Sequence, residues 1–144
     1  MRWLLALLLC VAGGCGKHAF NRDDLDISLS RHHIDLRWGR IDHAAQAVMP
    51  PMRAAFMAEW TRRLQGIELQ DVDVTGVVVS EDGDHADVVV TITWVDRASM
   101  SVVTSTVTEK WLRTDSGWLL ESNAAPLSMP PAPAQASTTS STPG

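Results

Sequence analysis

The stretch His85-Ala86-Asp87-Val88-Val89-Val90-Thr91-Ile92-Thr93-Trp94-Val95 fixes the fold class of this chain. Val88, Val90, Ile92 and Trp94 fall on one side of an extended backbone, and Asp87, Thr91 and Thr93 fall on the other. That is the period-two alternation of a strand with one buried face. Just upstream, Glu81-Asp82-Gly83-Asp84 carries the Asp-Gly signature of a hairpin turn. Before it runs a β-branched segment, Glu68 to Ser80, whose apolar phase changes near Gly76 and so predicts a bulge there. Downstream, Asp96-Arg97-Ala98-Ser99 is a turn, Met100 to Arg113 a third strand, Thr114-Asp115-Ser116-Gly117 a further turn and Trp118 to Ser122 a last strand. Four strands joined by three short turns describe an antiparallel meander.

The residues before this meander read as helices. Asp42 is placed to cap a short helix, His43 to Val48, by accepting its orphan N–H bonds. Pro50-Pro51 stops that helix and starts the next, which runs to about Gln65 and ends at Gly66. Met52, Phe56, Trp60 and Leu64 recur at i+4 and form one apolar stripe, while Glu59, Arg62 and Arg63 face water. Leu25 to Trp38 fits two readings. Leu25, Ile27 and Leu29, then Ile34, Leu36 and Trp38, alternate as in a strand, whereas Ile27, Ile34, Trp38 and Ile41 share one face of a helix. Helices laid on one face of a four-stranded sheet make an α+β domain.

The 144 residues allow one domain, and 45% hydrophobic content excludes collagen-like, fully disordered and polytopic membrane chains. A formal charge of −5 argues against a nucleic-acid partner, which demands a surplus of Lys and Arg. Residues 1–14 place Arg2 before an apolar run from Trp3 to about Ala12, followed by small residues. That layout is a secretory signal peptide, too short to span a bilayer as a mature helix. Val11-Ala12-Gly13-Gly14-Cys15 resembles the lipobox of bacterial lipoproteins, in which the cysteine is lipidated after cleavage; Ala12 stands where Leu is commoner. The resemblance implies a signal peptide over 1–14, lipidated Cys15 with a linker over 15–22, and a membrane anchor in the bacterial cell envelope. Gly16, where an inner-membrane retention Asp would sit, favours the outer membrane. Cys10 leaves with the signal, so the mature chain keeps no thiol for a disulfide and must rely on its core. From residue 123 to 144 there is no charged residue, and 17 of the 22 positions are Pro, Ala, Ser or Thr. Such a segment cannot bury enough apolar surface to offset its ordering entropy and is predicted to be a disordered tail.

The globular domain is thus expected over residues 23–122. Leu36-Arg37-Trp38-Gly39-Arg40-Ile41-Asp42-His43-Ala44-Ala45 resembles the start of nuclear-transport-factor-2-like (NTF2-like) domains, where a first helix ends in a Gly-containing turn and a second soon begins. Trp111-Leu112-Arg113-Thr114-Asp115-Ser116-Gly117-Trp118-Leu119 is similar to their closing hairpin. More closely, the chain resembles small bacterial lipoproteins that carry such a domain. The resemblance covers roughly residues 25–122 and tips the first segment toward helix. It implies three helices packed on a curved four-stranded sheet, a cone whose mouth often holds a small ligand.

The strand faces single out one residue. Thr104, Thr106, Thr108 and Lys110 share the polar face of the third strand, which turns Val103, Ser105, Val107, Glu109 and Trp111 inward. A carboxylate among apolar neighbours is costly unless it is paired. The expected outcome is an ion pair, with Arg37 or Arg40 as partner; the catalytic alternative makes Glu109 a general base. Trp38, Trp60, Trp94 and Trp111 complete the candidate ligand-pocket residues, and core packing explains them as well. His32, His33 and His43 with Asp35 and Asp42 make a weak metal signal, since adjacent helical histidines point about 100° apart. They are expected to be surface or half-buried, and neither metal nor cofactor is expected. There is no phosphate-binding glycine loop, no Gly-x-Ser-x-Gly and no Tyr. These residues point to a membrane-anchored, non-catalytic module that binds an envelope protein or a small ligand. The alternatives are a small isomerase or hydrolase using Glu109, and a structural accessory subunit of an envelope complex.

Overall fold

A computed structural model describes residues 22–121; the expectations for the signal peptide, Cys15, the linker up to residue 21 and the tail lie outside these residues. Helix α1 (Arg22–Arg37) is followed by the four-residue α2 (Ile41–Ala44), single 3-10 turns at Ala45–Ala47 and Pro50–Met52, and α3 (Arg53–Gly66). Strands β1 (Ile67–Val79), β2 (His85–Asp96), β3 (Ser101–Thr114) and β4 (Gly117–Leu120) form one antiparallel sheet in the order β1-β2-β3-β4. The α+β meander read from the sequence is the observed architecture, and the ambiguous first segment is helix.

α1 ends because Gly39 adopts φ +68, a left-handed conformation that closes hydrogen bonds from its own N–H to Leu36 O and from Arg40 N–H to Asp35 O. Asp42 does not cap the next helix. Its carboxylate lies inside α2, 72% exposed, the N-cap is Arg40, and no side-chain cap bond forms. The segment expected as one helix, His43 to Val48, splits into a single α turn and a 3-10 turn, after which Val48 bridges Leu120 and Met49 N–H donates to Leu120 O. α3 follows its predicted stripe: Phe56 and Trp60 are buried, with Met52 and Leu64 packed against the core.

The face assignments on the strands hold. Val88, Val90, Ile92 and Trp94 are each at most 1% exposed, and Glu109 and Trp111 point to the same side. The predicted bulge occurs between Val74 and Gly76, and a second register slip lies between Leu69 and Asp71. Each slip bends β1 and increases its twist. On the opposite face, hydroxyl pairs Thr91–Thr106 and Thr93–Thr104 tie β2 to β3 across the solvent side.

The buried side of α1 differs from the expected one. Leu25, Leu29, His32 and Leu36 point into the core, whereas Ile27, Ile34 and Trp38 are 48–70% exposed. Among the described residues no helix is long and apolar enough to cross a membrane.

Candidate functional site

Between α1 and the sheet lies a polar cluster enclosed by aromatic rings. Glu109 projects from β3 opposite Val88 and is 4% exposed. Its Oε2 accepts hydrogen bonds from His33 Nε2 at 3.1 Å and from the Trp111 indole Nε1 at 2.9 Å. The partner is therefore His33, not Arg37 or Arg40. Arg37 pairs instead with the half-exposed Asp71 at 3.1 Å, and the half-exposed Arg40 reaches the buried Asp35 at 2.7 Å. Helix geometry explains the substitution. His33 sits one turn before Arg37 on the side that meets β3, and a short imidazole fits under a helix where a guanidinium needs a longer path.

His32 and His33 are 1% and 4% exposed, which corrects the expectation of surface or half-buried histidines. Among the described residues, His43 and His85 are the exposed histidines. His32 Nδ1–H donates to Ala44 O at 2.8 Å, and its ring lies 5.5 Å from the Trp111 ring and 5.6 Å from Phe56. His32 Nε2 and His33 Nδ1 are buried without a hydrogen-bond partner. One donor atom from each of His32, His33 and Glu109 lies within 4.8 Å of the others. The two adjacent imidazoles lie edge to face, with their rings 5.1 Å apart and steeply inclined.

The electrostatics follow from burial. Removal from water pushes the Glu109 carboxyl up, but the hydrogen bonds donated by His33 and Trp111 and the electrostatic pull of the neighbouring imidazoles together outweigh it. The net result holds Glu109 below the usual carboxylate range. For His32, burial is the dominant effect and lowers its basicity, so it stays neutral at pH 7. A carboxylate held ionised, with Oε2 accepting two hydrogen bonds, is a poor general base.

Two clefts flank α1. One, of about 360 Å³, lies between α1 and β1; His33 and Leu29 reach it, with Ile34, Val72 and Val74 along its walls and Asp26, Asp71 and Asp73 at the rim. The other is an open depression of about 770 Å³ between α1 and α2, bordered by Ile27, Arg31, Asp35 and Gln46. No tryptophan lines either cleft. Trp60, Trp94 and Trp111 are packed inside the core, and Trp38 stands in solvent beyond α1 with the Arg37 guanidinium 6.0 Å from its ring.

Comparison with solved structures identifies the shape. A putative dehydratase of the NTF2-like family from Streptomyces avermitilis superposes with TM-score 0.53 at 17% identity, over 74% of this chain and 95% of that one. The domain has the NTF2-like fold. A ketosteroid isomerase-like protein from Erwinia carotovora atroseptica matches at TM-score 0.53 and 11% identity, covering 68% of this chain and 88% of its own. A putative polyketide cyclase from Xanthomonas campestris pv. campestris matches at TM-score 0.54 and 12% identity, covering 71% and 92%. At such identities the NTF2-like likeness concerns shape alone. No protein-family model matches the sequence, and no curated protein matches it.

Proposed function

We propose that this chain is a lipid-anchored bacterial envelope protein whose NTF2-like domain is a non-catalytic binding module, with the cleft between α1 and β1 as its binding face. The observation that carries the reading is the state of Glu109: the carboxylate that would do chemistry is committed to His33 and Trp111. Trp94, Trp111, Phe56 and Trp60 occupy the interior that a substrate would need. The cleft joins an apolar wall to a rim with three carboxylates and one guanidinium, that of Arg37. Asp71 lies close enough to Asp73 to push the Asp73 carboxyl up, so negative charge there is underpaired. That combination suits a cationic group on an apolar stem, such as a basic side chain of an envelope protein.

The anchor rests on the lipobox-like sequence around Cys15. Only residues 16–21 separate Cys15 from the first described residue, Arg22, a span of about 25 Å at most at roughly 3.5 Å per residue. Anchoring there would hold α1 close to the bilayer surface.

The test has two parts. Cys15→Ser should move the protein from the membrane to the soluble fraction and leave its precursor uncleaved; unchanged fractionation and mass would remove the anchor. A photo-crosslinking residue at Ile34, on the cleft rim, should trap one discrete partner in cells, and the same residue at Thr106, on the far side of the sheet, should trap none. The catalytic alternative, a small isomerase or hydrolase, is supported by one observation: His33, bonded to Glu109, reaches the cleft. Turnover of an enolisable ketone or an ester, abolished in Glu109→Gln, would favour it over the binding module.

A further inference from the structure

We propose that His32, His33 and Glu109 form a site for one divalent transition-metal ion of the zinc class. Two imidazole nitrogens and one carboxylate oxygen are the donor set that zinc accepts, whereas calcium and magnesium require shells of oxygen. The donor atoms are already within 4.8 Å of one another, and His33 Nε2 and Glu109 Oε2 stand 3.1 Å apart. Bonds of about 2.0–2.1 Å in a tetrahedron separate neighbouring ligands by roughly 3.3 Å, so this pair is in place and His32 has a small distance to close.

The supporting contacts are also those of a ligand set. His32 donates Nδ1–H to the Ala44 carbonyl, which fixes the ring and leaves Nε2, the nitrogen a metal would take, buried and without a hydrogen-bond partner. A backbone carbonyl on the distal nitrogen is the usual device for orienting a metal-bound histidine. Trp111 Nε1–H fixes the Glu109 carboxylate through Oε2, the oxygen that faces His33. Without such a role, a fully buried imidazole nitrogen is a cost that the fold does not recover, since a desolvated acceptor has given up its water. Metal binding would displace the proton that His33 Nε2 shares with Glu109. Three protein ligands leave a fourth position, and the cleft that His33 reaches supplies access for water or a small ion.

The full chain with Cys10→Ser and Cys15→Ser, so that no thiol competes, is stripped with EDTA and titrated with Zn²⁺, and separately with Co²⁺ as a spectroscopic probe. The expected result is one ion per chain, a tetrahedral cobalt spectrum without a thiolate band, and a melting temperature raised by about 10 °C or more at a hundredfold excess over Kd. His32→Asn keeps an amide N–H for Ala44 and deletes the free nitrogen; Glu109→Gln keeps the acceptor and deletes the charge. Both should lose the ion and the shift. No shift in the parent chain, or an equal shift in both variants, overturns the site and moves any uptake to the exposed histidines. Should either variant fail to fold, the imidazole ¹⁵N resonances of the parent decide. Zinc should move the His32 and His33 Nε2 signals while His32 Nδ1 keeps its proton, and unmoved Nε2 signals overturn the proposal.

Discussion

β2 and α1 both build the core, and they do so in opposite ways. β2 buries the apolar half of its alternation and exposes Asp87, as a half-buried strand should. α1 buries His32, His33 and Asp35 along with its leucines, and leaves Ile27, Ile34 and Trp38 in water. The strand is a packing element. The helix places part of its polarity inside and part of its apolar surface outside, an inversion that packing alone does not reward. The buried polar cluster is built by α1 and by the strand that answers it, β3.

The largest effect should come where the two styles meet. Trp111→Ala removes a fully buried ring and the N–H that Glu109 accepts, and should cost about 3–5 kcal/mol in denaturant unfolding. A loss under 1 kcal/mol would mean that the polar cluster carries the packing by itself. Glu109→Gln keeps an acceptor for His33 and Trp111 but turns two charge-assisted bonds into ordinary ones, a cost of about 1–2 kcal/mol under EDTA. A stabilised variant would show that the carboxylate is not held ionised.

Acid should then separate the helix from the strand. With its folded-state basicity lowered, His32 refuses a proton that the unfolded chain accepts below its ordinary 6.5. Its contribution is present above that pH and shrinks as the pH falls. Glu109, held below its ordinary 4.5, contributes above that value and loses its contribution as the pH falls through the folded-state range. In EDTA, the melting temperature should decline from near pH 6.5 downward, with a further loss below 4.5 that Glu109→Gln removes. A midpoint flat between pH 7 and 5 would contradict a neutral, buried His32. The smallest effect belongs to the outer ridge: Trp38→Ser should stay within about 0.5 kcal/mol of the parent by the same unfolding measurement.

These contrasts also explain what could be read from residues alone. The meander, its turns and the inward Glu109 were legible because alternation along β2 and β3 is nearly unbroken. The buried face of α1 was not, since its i, i+4, i+7, i+11 stripe of Leu25, Leu29, His32 and Leu36 passes through a histidine, while Ile27, Ile34 and Trp38 imitate a core face. With that face hidden, the partner of Glu109, 76 residues upstream, was beyond reach, and the long arginines nearby looked more suitable. The bulge at Gly76 is marked by its glycine. The slip after Leu69 has a fainter signal: inward apolar residues pass from Ile67 and Leu69 to Val72, and then to Val77 and Val79. Asp42 looks like a cap in sequence, but the Gly39 turn sets the helix start two residues earlier, where Ile41 can be buried.

Those two slips in β1 bear on how the protein survives crowding. β1 is thirteen residues long and lies at the open edge of the sheet, where an unpaired backbone can template another chain. A strand interrupted twice has no straight stretch long enough for a neighbouring copy to add in register, and Asp71 and Asp73 set like charges against any copy that tries. On the opposite side, β4 is four residues long and pairs with the Trp111–Thr114 end of β3. A bent, acidic edge disfavours edge-to-edge pairing between copies of this chain.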